Sequence, residues 1–113
     1  MMVAIREYLN ANGGSPFRRW YDGLNSQAAD KVTTALYRLE LGNFSNVQGV
    51  GAGVFECRIN FGPGYRVYFG KDGEEIVILL GGGIKQSQQY DIRLALGRWE
   101  DYKQRKQRRK EEE

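Results

Sequence analysis

Histidine is absent from this chain, and cysteine occurs once. The first absence removes the usual general base, the commonest metal ligand and every histidine-dependent nucleophilic triad. The second rules out an internal disulfide, and the two together argue against a zinc site. No metal and no cofactor are expected, so any catalysis must draw on Arg, Lys, Tyr, Asp or Glu. No apolar run approaches the roughly 20 residues that span a bilayer. The first seven residues end in charges and lack a signal-peptide pattern. A cytoplasmic location with no membrane partner is therefore expected. The lone Cys57 is expected to be a small buried hydrophobe.

What is present fits one folded domain. The chain has 113 residues, enough for a single core, and its 41% hydrophobic content excludes wholesale disorder. The net charge is +3. That figure hides a basic run of Lys103, Arg105, Lys106, Arg108, Arg109 and Lys110, which the closing Glu111, Glu112 and Glu113 offset. Such a run favours an anionic partner. Nucleic acid ranks ahead of membrane, because no apolar stripe accompanies the charges.

Hydrophobic periodicity predicts the elements. Residues 3–9 alternate as a first strand, and 10–14 read as a turn. Ser15-Pro16 is an N-cap followed by proline at the first helical position, opening a short helix with Phe17, Trp20, Tyr21 and Leu24 on its core face. Ser26 is expected to cap a second helix, with Ala28, Ala29, Val32, Leu36 and Leu39 inward and Gly42 ending it. Residues 43–53 read as a glycine-rich loop. Two strands follow around Gly62-Pro63-Gly64, and Asp72-Gly73 predicts a two-residue hairpin between Phe69 and Ile76. Residues 76–80 are apolar on both faces, which predicts a central strand ended by Gly81-Gly82-Gly83. A last helix beginning near Gln86 carries Ile92, Ala95, Trp99 and Tyr102 inward before fraying into the charged tail. The order strand, helix, helix, three antiparallel strands, helix predicts an α+β domain. Its helices are expected on one face of the sheet, with the other face partly open.

The pair of strands around the glycine-proline turn is the most informative stretch. Phe55, Cys57, Ile59, Phe61, Tyr65, Val67 and Phe69 alternate onto one face. Glu56, Arg58, Asn60, Arg66 and Tyr68 alternate onto the other. Arg58 and Arg66 on neighbouring antiparallel strands lie within roughly 5–8 Å, close enough to flank one phosphate. Tyr68 shares that face and is a candidate for stacking on a base. Lys85 follows the triple glycine, and Gln88, Tyr90 and Asp91 open the last helix. The alternative for these residues is an ordinary Glu–Arg network on a solvated sheet face, with Glu56 as its acid. The triple glycine carries neither a Walker Lys-Ser/Thr nor a GxGxxG pattern.

From about Phe17 to Ala95 the chain resembles the RelE/ParE toxin superfamily, in particular its HigB-like group of phage-derived addiction-module killer proteins. The carriers are Phe17-Arg18-Arg19-Trp20, Leu41-Gly42-Asn43, Gly53-Val54-Phe55-Glu56-Cys57-Arg58-Ile59, Gly62-Pro63-Gly64-Tyr65-Arg66-Val67-Tyr68-Phe69, and Leu80 to Gln88 followed by Asp91-Ile92. The resemblance implies an α+β, RelE/ParE-like fold: an antiparallel twisted sheet with two N-terminal helices and one C-terminal helix. Residues 1–102 would form the toxin domain, and 103–113 a charged helix end or frayed tail.

The implied activity is that of a ribosome-dependent, metal-independent mRNA endonuclease, the toxin of a type II toxin–antitoxin system. Its partners would be the ribosome, its mRNA and a small helix-turn-helix antitoxin. By position, Arg66 would stabilise the phosphorane, Arg58 orient the scissile phosphate, and Lys85 stabilise or protonate the leaving oxygen. Tyr90 and Asp91 stand nearest the place of the acid or base. Glu56, Tyr68, Gln88, Lys103 and Arg105 would contact RNA. The chain departs from the pattern in lacking a histidine there, in Glu56 where some relatives are basic, and in Ile84. Two other functions stay open: a gyrase inhibitor of the ParE kind without nuclease activity, and a catalytically inactive copy.

Overall fold

The computed structural model describes residues 2–113. Met1, the first residue of the expected domain, lies outside the described residues. Strand β1 (Ala4–Glu7) leads into helices α1 (Pro16–Asp22) and α2 (Ser26–Glu40). Strands β2 (Val47–Gly51), β3 (Val54–Ile59), β4 (Tyr65–Lys71) and β5 (Ile76–Ile84) follow. A 3-10 turn (Lys85–Ser87) then opens helix α3 (Gln88–Glu112).

Local chemistry explains the helix boundaries. The Ser15 hydroxyl accepts the Arg18 N–H at 3.0 Å, and Pro16 spends no backbone donor in the first turn. Asn25, rather than Ser26, caps α2: its side-chain oxygen accepts the Ala28 N–H at 2.9 Å. Gly42, at φ +82°, ends α2. Its N–H donates to the Leu39 carbonyl and the Asn43 N–H to the Arg38 carbonyl, the two bonds of a Schellman motif.

The expected antiparallel, RelE/ParE-like arrangement is corrected by the sheet itself. The sheet is mixed, with order β1-β5-β4-β3-β2, and β1 runs parallel to β5. The chain opens on a strand, so the two short helices form the crossover between β1 and β2. Four strands follow them, not three. The fourth is β2, which pairs antiparallel with β3 in the stretch expected to be a loop. Its glycines hid its alternation. The expected two-residue hairpin is also longer: Lys71 pairs with Val77, leaving five residues, 72–76, between them.

Helices cover both faces of the sheet, not one. Phe17, Ala28, Val32 and Leu39 from α1 and α2 pack with Cys57, Val67, Phe69, Val77 and Leu79. Ala95 and Trp99 from α3 pack on the opposite face with Val54, Tyr68, Ile78 and Leu80. The predicted inward set of the last helix is therefore correct, as is the placing of β5 under cover on both sides. Strand β5 also continues through the triple glycine to Ile84 instead of ending there. Trp20 lies against Gly82 on one face, while Arg98 and Asp91 lie against Gly81 and Gly83 on the other. Any side chain at these positions would displace one of them.

The basic tail is helical as far as Glu112. Its Gln, Arg, Lys and Glu residues are strong helix formers. Side chains also pin its inner part: Arg105 pairs with Asp101 at 2.6 Å, Tyr102 donates to Asp72 at 2.6 Å, and Lys106 pairs with Asp72.

Candidate functional site

Strand register brings the two arginines together. Arg58 on β3 is the direct cross-strand partner of Arg66 on β4, and Glu56 is the partner of Tyr68. Direct partners have Cβ atoms about 5 Å apart, so two guanidiniums there repel unless an anion joins them. Glu56 supplies it. Its Oε2 lies 3.2 Å from Arg58 Nε and its Oε1 lies 3.4 Å from Arg66 Nε. Gln88 Nε2, from the first residue of α3, donates to the same Oε1 at 2.7 Å. The Glu56 side chain is 1% exposed and Arg66 10%, whereas Arg58 is 52% exposed.

The carboxylate engages each arginine on its Nε edge. Arg58 also donates through Nη2 to Gln48 Oε1 at 2.6 Å, and Arg66 through Nη1 to the Gly64 carbonyl at 3.0 Å. A guanidinium carries five N–H donors in a planar fork. Each arginine therefore keeps N–H groups beyond those that orient it.

Further residues gather at the same end of the sheet. Gly83 is the partner of Arg66 on β5, and the Asp91 carboxylate lies directly over that glycine. Ser87 Oγ donates to Asp91 Oδ2 at 2.5 Å. Lys85 is exposed, and its Cβ lies beside Gly64, where a side chain at Gly64 would come within 3.4 Å of it. Among the described residues Lys85 makes no ion pair. The N-terminus of α3 adds its positive dipole end to this cluster.

Three residues expected to touch RNA are placed otherwise. Tyr68 is fully buried under α3, so it presents no ring face for stacking. Among the described residues its hydroxyl has no hydrogen-bond partner, and burial together with the Glu56 and Asp91 charges pushes its pKa up. Lys103 pairs with Glu100, and Arg105 with Asp101 and the Leu9 carbonyl. They stand 15 and 17 residues beyond Gln88, roughly 20–25 Å along the helix. Tyr90 is 57% exposed, with the Arg93 guanidinium 6.0 Å from its ring.

The cluster thus unites Glu56, Arg58, Arg66, Lys85, Gln88 and Asp91. Gln48 and Ser87 belong to it but were not singled out from the sequence. Gln48 sits on the unexpected strand β2. Ser87 was legible only as a polar residue four positions before Asp91, the spacing that joins side chains on one helical face.

No family model matches the chain. It is 42% identical over 80 residues to an uncharacterized protein of Haemophilus influenzae, an alignment that covers 70% of this chain and 81% of that one.

Proposed function

The chain belongs to one family with that Haemophilus influenzae protein, whose description assigns no activity, and from the residues themselves we propose a toxin that cleaves mRNA on the ribosome. The observation that carries this reading is the convergence of two guanidiniums from neighbouring strands on one buried carboxylate. Glu56 accepts a hydrogen bond from Arg58 Nε and lies 3.4 Å from Arg66 Nε, and the remaining Nη donors offer a fork to the non-bridging oxygens of a phosphate. The Gly64-Tyr65-Arg66 motif and the resemblance it carries supply the substrate class.

The chemistry needs only groups found in this cluster. The 2′-hydroxyl of the RNA attacks the adjacent phosphorus and loses its proton, and the bond to the 5′-oxygen breaks. The products are a 2′,3′-cyclic phosphate and a 5′-hydroxyl end. Arg66 and Arg58 offset the charge that builds on the phosphorane, the kind of electrostatic stabilisation worth about 2–4 kcal/mol per donor. Lys85, unpaired and exposed, faces the leaving oxygen. Asp91 is the carboxylate of the cluster not bound to an arginine, which supports it as the proton acceptor. A small helix-turn-helix antitoxin is the proposed neutralising partner.

Purified protein is added to ribosomes translating a defined message, and the RNA is mapped by primer extension. Cuts within codons are expected, with none in ribosome-free RNA. Intact message, together with trapped gyrase–DNA complexes in a topoisomerase assay, would replace this reading with gyrase inhibition.

A further inference from the structure

A second site lies on the other side of β3, in a cavity of about 250 Å3 between α2 and the end of that strand. Every charged residue lining it is cationic: Lys31 and Arg38 on α2, and Arg58 on β3. Its other polar groups are neutral, among them Asn43, Asn46 and Asn60. Asp30 lines the adjoining surface pocket but not this cavity, and Glu56, which pairs with Arg58, is not among the lining residues. Among the described residues neither Lys31 nor Arg38 forms an ion pair, and both are exposed.

The arrangement is selective for an extended anion. Lys31 and Arg38 are seven residues apart, two turns and about 10 Å of helix on one face. The Lys31 ammonium sits 5.2 Å from the Phe61 ring at one end of the cavity. Arg38, two turns further along α2, lines the same cavity together with the buried Cys57. A compact anion meets one of these charges, whereas a chain of phosphates meets both. Arg58 joins the two regions, since it lines this cavity while its guanidinium is held by Glu56 in the cluster.

We propose that this groove holds the sugar–phosphate backbone of single-stranded RNA as it leads around the C-terminal end of β3 to the cluster. The inference rests on the reading of the protein as an RNA-cleaving toxin. Asn43, Asn46 and Asn60 give the neutral donors that accompany phosphate contacts without reading sequence.

Binding of a fluorescent, unstructured 12-nucleotide RNA to the full chain is measured by anisotropy across a salt series. Lys31→Gln with Arg38→Gln should weaken binding about tenfold at moderate salt and reduce the slope of log K against log salt by about 1.4, at 0.7 per lost single-strand phosphate contact. Thermal melting should be unchanged, because both side chains are exposed. Wild-type affinity and slope in the double variant would overturn the groove while leaving the cleavage reading intact. Absence of RNA binding and of ribosomal cleavage by the wild-type chain would overturn both.

Discussion

At the scale of single residues, one carboxylate decides the state of the cluster. Glu56 is buried between two arginines, so its removal leaves like charges as direct neighbours. Glu56→Ala is expected to cost about 3–5 kcal/mol of stability, as breaking a buried ion pair does; a urea midpoint equal to wild type would refute this. Arg66→Lys retains the charge but loses the planar fork. It should keep the fold by circular dichroism and lower ribosomal cleavage about 10²–10³-fold. Full activity in that variant would remove Arg66 from the chemistry.

Cys57 supplies a test of burial. Burial, opposed by Arg38 and assisted by Glu56, pushes its thiol up to about 11. The folded state therefore favours the neutral thiol. Its contribution to stability is complete below the ordinary thiol range and is lost as pH rises through about 11. Iodoacetamide should fail to label the native protein at pH 8 and label it rapidly in denaturant. Fast native labelling would show that the strand opens there.

At the scale of elements, the triple glycine of β5 shows where periodicity misled. A glycine run after an apolar strand reads as an exit, yet β5 continues because its bare backbone receives Trp20 from α1 and Asp91 and Arg98 from α3. No local signal reveals those partners. Gly82→Val should therefore overpack the Trp20 contact and cost about 1–3 kcal/mol. A thermal midpoint unchanged from wild type would contradict the close approach.

The β4–β5 turn and α3 meet in a second testable contact. Hydrogen bonds from Lys106 and Tyr102 hold the Asp72 carboxyl below the ordinary carboxylate range. That stabilisation is present above about pH 4 and fades as pH falls through the depressed folded value. Asp72→Asn should lower stability at pH 7 by less than about 1 kcal/mol, since the pair is partly exposed. The difference from wild type should shrink in acid. A penalty that persisted at pH 2 would point to packing instead.

At the scale of the whole molecule, a two-sided sheet makes β4 and β5 the protected centre. Strand β4 is buried from Tyr65 to Gly70, while β1 and β2 form the edges. Amide exchange should be slowest in β4 and β5 and faster in β2. Early exchange in β4 would contradict the strand order. The same geometry places the Glu56–arginine cluster and the α2–β3 groove on opposite sides of one strand, with Arg58 common to both.

Much of this was legible in the chain alone. Alternation along 55–69 separated Cys57, Ile59, Tyr65, Val67 and Phe69 from Tyr68 on the opposite face, as the packing has them, and the Ser15-Pro16 and Gly42 signals set helix ends. These are local properties, carried by the period of a strand and the conformational needs of a cap. Tertiary structure decided what depends on distant partners: the parallel pairing of β1 with β5, the strand β2 hidden by its glycines, and the burial of Tyr68 beneath α3. It also decided that Glu56 sits between the arginines. Pairing direction and burial follow from which surfaces meet across tens of residues, and no local period encodes that.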